Sequence, residues 1–252
     1  MRINGIELGI QSWCFRGFKT HEEVIRATKE IGLTCVEMCS AHVNFSDEST
    51  FDPMVRLYRD AGITINSTTS RFRNDETSAR KVFEFARIAG FSTIGALPEP
   101  DSLPLLDRLC DEYGMKIGIH NHGRQIEHRF SFSWLLQDAF DKISPNIGLT
   151  LDTAWALDVM ENPVEFARKF ADRLYGVHIK DFVFNRDGSP VDAIIGTGNL
   201  CLKDFLGTLK EIGFQGYMSI EYDGAMNDPI PSAKECLKQL LPFADISKIS
   251  LT

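Results

Sequence analysis

The sequence predicts a single (β/α)8 barrel over residues 1–252, and three features carry that expectation. The first is a unit that keeps returning: an amphipathic helix, a glycine, then an apolar strand. Helix 21–31 runs into Gly32 and strand 33–38, residues 51–61 into Gly62 and 63–67, and helix 76–89 into Gly90 and 91–97. Residues 102–113 run into Gly114 and 115–120, and helix 203–212 into Gly213 and 217–222. A glycine is the residue that most readily takes the left-handed conformation just past a helix. The second feature is the stretch 146–181, with near-continuous apolar runs at 147–151 and 174–179 that suit strands buried on both faces. Between them Asn162-Pro163 opens helix 164–170, which makes a parallel βαβ unit. The third is that nothing divides the chain. With strand 8–13 at the start and helix 232–241 near the end, eight strands alternate with helical or loop sequence and no linker interrupts them. An open doubly wound sheet would want a phosphate-binding glycine-rich turn after the first strand, and Gln11-Ser-Trp-Cys-Phe-Arg-Gly-Phe18 is not one.

Composition narrows the partners. The 252 residues are 43% hydrophobic, enough for a core without disulfide staples. A net charge of −8 with no run of Lys or Arg argues against nucleic acid. No stretch has the length and apolarity of a membrane span, and the first residues lack a signal-peptide apolar region. The six cysteines form no Cys-x-x-Cys pair and read as reduced core residues of a cytoplasmic protein rather than a zinc knuckle. A homo-oligomer stays open.

Function in such a barrel collects at the C-terminal ends of the strands. Those ends carry Gln11, Trp13 and Arg16, then Glu37 and His42, Thr68 and Ser70, His120, Asn121 and His122, Asp152, His178 and Lys180, and Glu221. The opposite ends carry Thr34, Lys116, Asn146 and Gln215, an ordinary solvated rim. His120, Asp152, His178 and Glu221 offer two imidazoles and two carboxylates. That set suits a divalent ion, Mn or Zn first, with Co, Fe, Ni or Mg as further options. The bland alternative is an internal ion-pair network, which would bury much charge at considerable cost.

Four short motifs point the same way: Leu151-Asp152-Thr153, Val177-His178-Ile179-Lys180-Asp181, Gly196-Thr197-Gly198 and Ser219-Ile220-Glu221. In order and spacing they resemble the xylose isomerase-like sugar isomerase/epimerase superfamily, which also includes dehydratases and, more distantly, endonuclease IV. The resemblance implies a TIM barrel with one catalytic divalent metal held at the ends of strands five to eight, by position Asp152, His178 and Glu221. Many relatives place a glutamate on strand five. Here the position is His120, within Ile119-His-Asn-His-Gly123, a form similar to proteins of the sugar phosphate isomerase/epimerase family. That departure weakens a two-glutamate epimerase mechanism and leaves His122 or Glu127 as alternatives to His120 for the fourth ligand.

The reaction that suits this set is proton abstraction beside the carbonyl of a keto-sugar or polyol derivative. His122, Glu37 and Glu221 are the candidate bases, and Lys180 is a candidate for holding a substrate oxygen. Arg16 and His42 could bind a polyol or an anion, and Trp13 and Trp155 could face a sugar ring; each could equally be an ordinary surface or core residue. Loss of a β-hydroxyl would instead make a dehydratase or lyase acting on an inosose- or keto-glycoside-like substrate. An endonuclease IV-like nuclease would need further histidines, and Trp155 stands where such enzymes place a second ligand. A non-catalytic sugar-binding protein is the remaining rival. Gly196-Thr197-Gly198 could cradle a phosphate or merely shape a turn.

Overall fold

The computed structural model describes residues 1–124 and 130–245. A short β1 (Arg2–Ile3) folds back antiparallel on β2 (Ile6–Gln11), followed by β3 (Cys35–Cys39), β4 (Thr64–Phe72), β5 (Thr93–Pro98) and β6 (Lys116–His120). β7 (Ile147–Asp152) and β8 (Leu174–Ile179) come next, then a hairpin of β9 (Asp181–Phe184) and β10 (Pro190–Ala193), and finally β11 (Tyr217–Ile220). The strands from β2 to β8, together with β11, are parallel, and pairing of β2 with both β3 and β11 closes the ring.

The helices between them are α1 (His21–Ile31), α2 (Phe51–Asp60), α3 (Glu76–Ala89), α4 (Leu103–Tyr113), α5 (Ser133–Phe140), α6 (Thr153–Asp158), α7 (Pro163–Lys169), α8 (Leu202–Glu211) and α9 (Pro229–Leu240). Their ends have chemical causes. Thr20 and Glu23 form a reciprocal capping box at the start of α1, and Asp75 and Asn162 cap α3 and α7. The five glycines expected after helices, at 32, 62, 90, 114 and 213, all adopt positive φ. None of the described helices is long and apolar enough to cross a membrane.

Several boundaries differ from expectation. The first strand stops at Gln11 rather than running through Trp13, because the Gln11 side chain accepts from Trp13 N and starts a 3-10 turn, Ser12–Phe15. β4 continues to Phe72, past the expected end at 67, so Thr68 and Ser70 are buried within the strand instead of standing at its mouth. Helix α5 was not expected: Trp134, 61% exposed, interrupts the stripe formed by buried Leu136 and Phe140. Five cysteines are buried as free thiols, but Cys201 is exposed and is not a core residue.

The barrel interior below the mouth is polar and tightly fitted. Tyr217 on β11 reaches across to Thr150 Oγ1 at 3.1 Å and Glu37 Oε1 at 3.4 Å. Its ring occupies the space opposite Gly176 on β8, where an added Cβ would lie 2.5–2.8 Å from ring and hydroxyl atoms. Gly176→Ala is therefore expected to displace Tyr217 and cost about 1–3 kcal/mol by overpacking, read as a lower denaturation midpoint at unchanged slope.

Candidate metal centre

Four neighbouring strand ends contribute one side chain each to the cluster at the mouth. His120 closes β6, Asp152 closes β7, His178 lies near the end of β8, and Glu221 follows β11; all four are buried. The ligand atoms of these four all lie within 4.8 Å of one another. His178 Nδ1 stands 3.1 Å from His120 Nε2 and 2.8 Å from Glu221 Oε2, and Asp152 Oδ2 is 3.5 Å from His120 Nε2. Four atoms around one ion with bonds of roughly 2.05 Å would be about 3.3 Å apart in a tetrahedral arrangement, which is the spacing these contacts bracket.

The orientation of each ligand has its own support. Asp152 caps α6 with Oδ1, which accepts from Ala154 N at 2.8 Å and Trp155 N at 2.9 Å. Its backbone N–H donates to Asn121 Oδ1, and its carbonyl accepts from Asn121 Nδ2. That leaves Oδ2 turned into the cluster, buried and, among the described residues, without a hydrogen-bond partner. A buried carboxylate oxygen in that state needs a cation, and the surrounding donors are those a divalent ion prefers. His178 presents its other nitrogen, Nε2, to Glu37 Oε2 at 2.9 Å. Glu37 is itself held by Thr69 Oγ1 and fully buried. Burial opposes charge on His178, but Glu37 and Glu221 on either side raise it well above the ordinary imidazole range. Burial likewise works against ionised Glu37, and the His178 charge beside it brings it below the usual carboxylate value.

Next to the four lies a second group of charges. Lys180, 1% exposed, donates to Glu221 Oε1 at 3.1 Å and to Asp223 Oδ2, with Asp192 of the hairpin 3.9 Å away. Its ammonium lies over the rings of Trp155 and Phe182. Burial raises Asp223 to about 6, against the pull of Lys180. Arg16 donates to the Asp223 carbonyl at 2.6 Å and stacks on Trp13, which is 43% exposed. His122 packs on His120 and Trp155, with ring centroids 4.6 and 5.6 Å apart.

The expected residues thus fall into three groups. His120, Asp152, His178 and Glu221 converge, with His122, Lys180 and Trp155 against them and Arg16 and Trp13 further out along Asp223. Glu37 lies beneath His178 rather than facing the mouth. His42 lines a separate cavity with Lys19 and His21 that none of the four converging residues borders. Glu127 lies outside the described residues. Asp223 and Asp192 were not anticipated, and Asp181 was read only as part of a motif; Asp223 lies two residues past Glu221, beyond the end of β11.

Asp181 decides how the Gly196–Gly198 turn is read. Its buried carboxylate accepts from four backbone amides, those of Gly196, Gly198, Asn199 and Leu200, each at 2.9 Å. The amides that a phosphate would have used are occupied by this side chain, so the turn is structural. Asp181→Ala is expected to lower stability by about 3 kcal/mol or more, because four loop donors lose a charged acceptor. Chemical denaturation measures it.

Known proteins agree with this architecture. The sequence profile of the family described as xylose isomerase-like TIM barrel matches residues 101–240. An uncharacterized protein of Methanocaldococcus jannaschii is 33% identical over 160 residues, which cover 62% of this chain and 49% of that protein. The chain spans about half the length of the curated relatives it matches. Among solved structures, a D-tagatose 3-epimerase-like protein superposes with a TM-score of 0.76 at 20% identity, over 94% of this chain and 97% of the other. The IOLI protein with a bound zinc atom superposes with a TM-score of 0.73 at 17% identity, over 96% and 100%. With that profile match covering more than half of its length, the chain belongs to the xylose isomerase-like TIM barrel family.

Proposed function

We propose that the chain is a divalent-metal-dependent sugar isomerase or epimerase that moves the proton beside the carbonyl of a keto-sugar or polyol derivative. The convergence of His120, Asp152, His178 and Glu221, with one buried Asp152 oxygen left without a hydrogen bond, is the observation that carries this reading. An ion held there, manganese or zinc by its mixed nitrogen and oxygen donors, would supply charge stabilisation for the oxygen of the polarised carbonyl.

The remaining work belongs to side chains. His122, at the mouth beside His120, is positioned to take the proton; Glu221 is engaged by His178 and Lys180, and Glu37 is sealed under the His178 ring. Glu37 suits a different task, which is to fix the tautomer and orientation of His178 by accepting from Nε2. Glu37→Gln is expected to weaken metal affinity roughly ten- to a hundredfold, measured by competition with a chromogenic chelator. Lys180, kept charged by Glu221 and Asp223, would hold a substrate oxygen, with Trp155 forming a flat wall next to it. Arg16 and Trp13 form an outer wall of the same mouth.

A lyase reading rests on one observation. The Lys180 ammonium is a proton donor beside Glu221, which an inosose- or keto-glycoside-like substrate losing a β-hydroxyl would require. A probable 3-DHS dehydratase from Bacillus anthracis is among the solved structures that share the fold.

A screen of keto-sugars, keto-glycosides and inososes for solvent deuterium incorporation, with manganese or zinc added, tests both readings. A metal-dependent mass gain at the carbon beside the carbonyl is expected, and the product identifies isomerase or lyase. Metal-free protein as competent as the loaded form, or no exchange with any of these classes, would sink the proposal.

A further inference from the structure

Most cations around the mouth are already partnered. Lys180 is held by Glu221 and Asp223, Arg16 by Asp223, and Arg124 by Asp158. Arg71 and Arg73 differ. Both are exposed, and among the described residues the side chain of neither makes an ion pair or hydrogen bond.

Strand geometry says which way Arg71 leaves β4. Thr69 faces the barrel axis: its hydroxyl donates to Glu37 Oε1 at 2.5 Å, and it pairs with Gly95, where an added Cβ would collide with it. Arg71 is two residues nearer the mouth on the same face, about 7 Å higher at a rise of roughly 3.3 Å per residue. Strand alternation therefore sets it one layer above the Thr69–Glu37 contact, on the side of β4 that faces the barrel axis.

The cavity that it lines and the one adjoining hold no available carboxylate. Arg71 and Arg73 line a cavity of about 410 Å3. At Ser40 and Phe45 it adjoins one of about 520 Å3 that carries Lys19, His21 and His42 and no carboxylate. The one acid in the first cavity, Asp75, is occupied as the cap of α3, where it accepts from Thr77 N at 3.1 Å and Ser78 Oγ at 2.5 Å. Two arginines lining one cavity bring like charge to it, which an anion between them would offset, and their planar forks match carboxylate and phosphate oxygens. The turn at Gly196–Gly198 offers no competing cradle, since Asp181 takes its amides.

We propose that Arg71 and Arg73 form a subsite for an anionic substituent, a phosphate monoester or a carboxylate, on the sugar whose carbonyl end lies at the metal centre. That the anion belongs to a substrate rests on the function proposed above; that the arginines bind one does not.

Calorimetric titration of the full chain, stripped of metal with EDTA, separates the two points. Inorganic phosphate and D-glycerate serve as the probes. Wild type is expected to bind at least one of them, and the double variant Arg71→Met/Arg73→Met to bind it about ten- to a hundredfold more weakly, the loss of a charge-assisted pair. Preference for phosphate identifies a phosphate ester, and preference for glycerate a sugar acid. Asp152→Asn should leave the affinity unchanged. Failure of wild type to bind either probe, equal affinity in the double variant, or loss in Asp152→Asn overturns the subsite. Anion binding without deuterium exchange from any phosphorylated or acidic keto-sugar leaves the subsite standing and sinks the catalytic reading. Exchange confined to neutral sugars, at a rate the double variant does not alter, does the reverse.

Discussion

Asp152→Asn is expected to strip the protein of tightly bound metal and to slow exchange of the proton beside the carbonyl by roughly three orders of magnitude or more, with folding intact. The expectation follows from how the two oxygens of Asp152 divide their work. Oδ1 caps α6 through Ala154 N and Trp155 N, and an asparagine carbonyl can keep both bonds. The backbone of residue 152 stays fixed by Asn121 on either side of the peptide. Only the Oδ2 position changes, from a carboxylate oxygen without a hydrogen bond, 3.5 Å from His120 Nε2, to an amide nitrogen that cannot offer a lone pair to a cation. Electrostatic stabilisation by a bound ion contributes several kcal/mol to such a reaction, and each 1.36 kcal/mol is about a factor of ten in rate. Elemental analysis after dialysis against zinc, together with the exchange rate, checks both halves. Wild-type metal content in this variant would move the metal site elsewhere.

The barrel and the four converging residues were legible in the sequence for one physical reason. A parallel strand buried on both faces reads as an unbroken apolar run, so Asp152 and His178 stand out as interruptions at equivalent places. Glu37 interrupts β3 in the same way, but no periodicity gives its depth. Only the closed ring puts it under His178, next to Thr69 and Tyr217. Arg71 was hidden by composition. The run Ser67-Thr-Thr-Ser70 is polar and reads as a loop, while the structure continues β4 through it because Thr68 and Ser70 bury their small side chains. Asp181 could not be assigned a partner, since its four donors come together only when residues 196–200 wrap around it. Asp192 reaches Lys180 through a hairpin whose turn, Asn185–Ser189, carries no apolar alternation to mark it.

His122→Asn is expected to leave metal content near that of wild type and to slow proton exchange by roughly two to four orders of magnitude, the usual contribution of a positioned general base. The loop that carries His122 is held close by its neighbour. At Gly123 an added Cβ would lie 2.3 Å from Asp158 Oδ2 and 2.5 Å from the Trp155 ring, so only glycine lets the chain approach Trp155 there. That approach presses the His122 ring between His120 and Trp155, at the mouth and half-buried. Glu37 faces His178 Nε2 from beneath, and Glu221 faces His178 Nδ1 and Lys180 Nζ. Asparagine keeps a polar side chain of comparable reach but cannot accept and release a proton near neutral pH. Metal content and exchange must be measured on the same preparation, because they separate the roles. Loss of metal would make His122 a ligand and release His120 from the set. Full exchange would pass the base to Glu221 or to Asp223, the carboxylate beside Lys180, and Asp223→Asn decides between them: a rate loss there assigns Asp223, and an unchanged rate assigns Glu221.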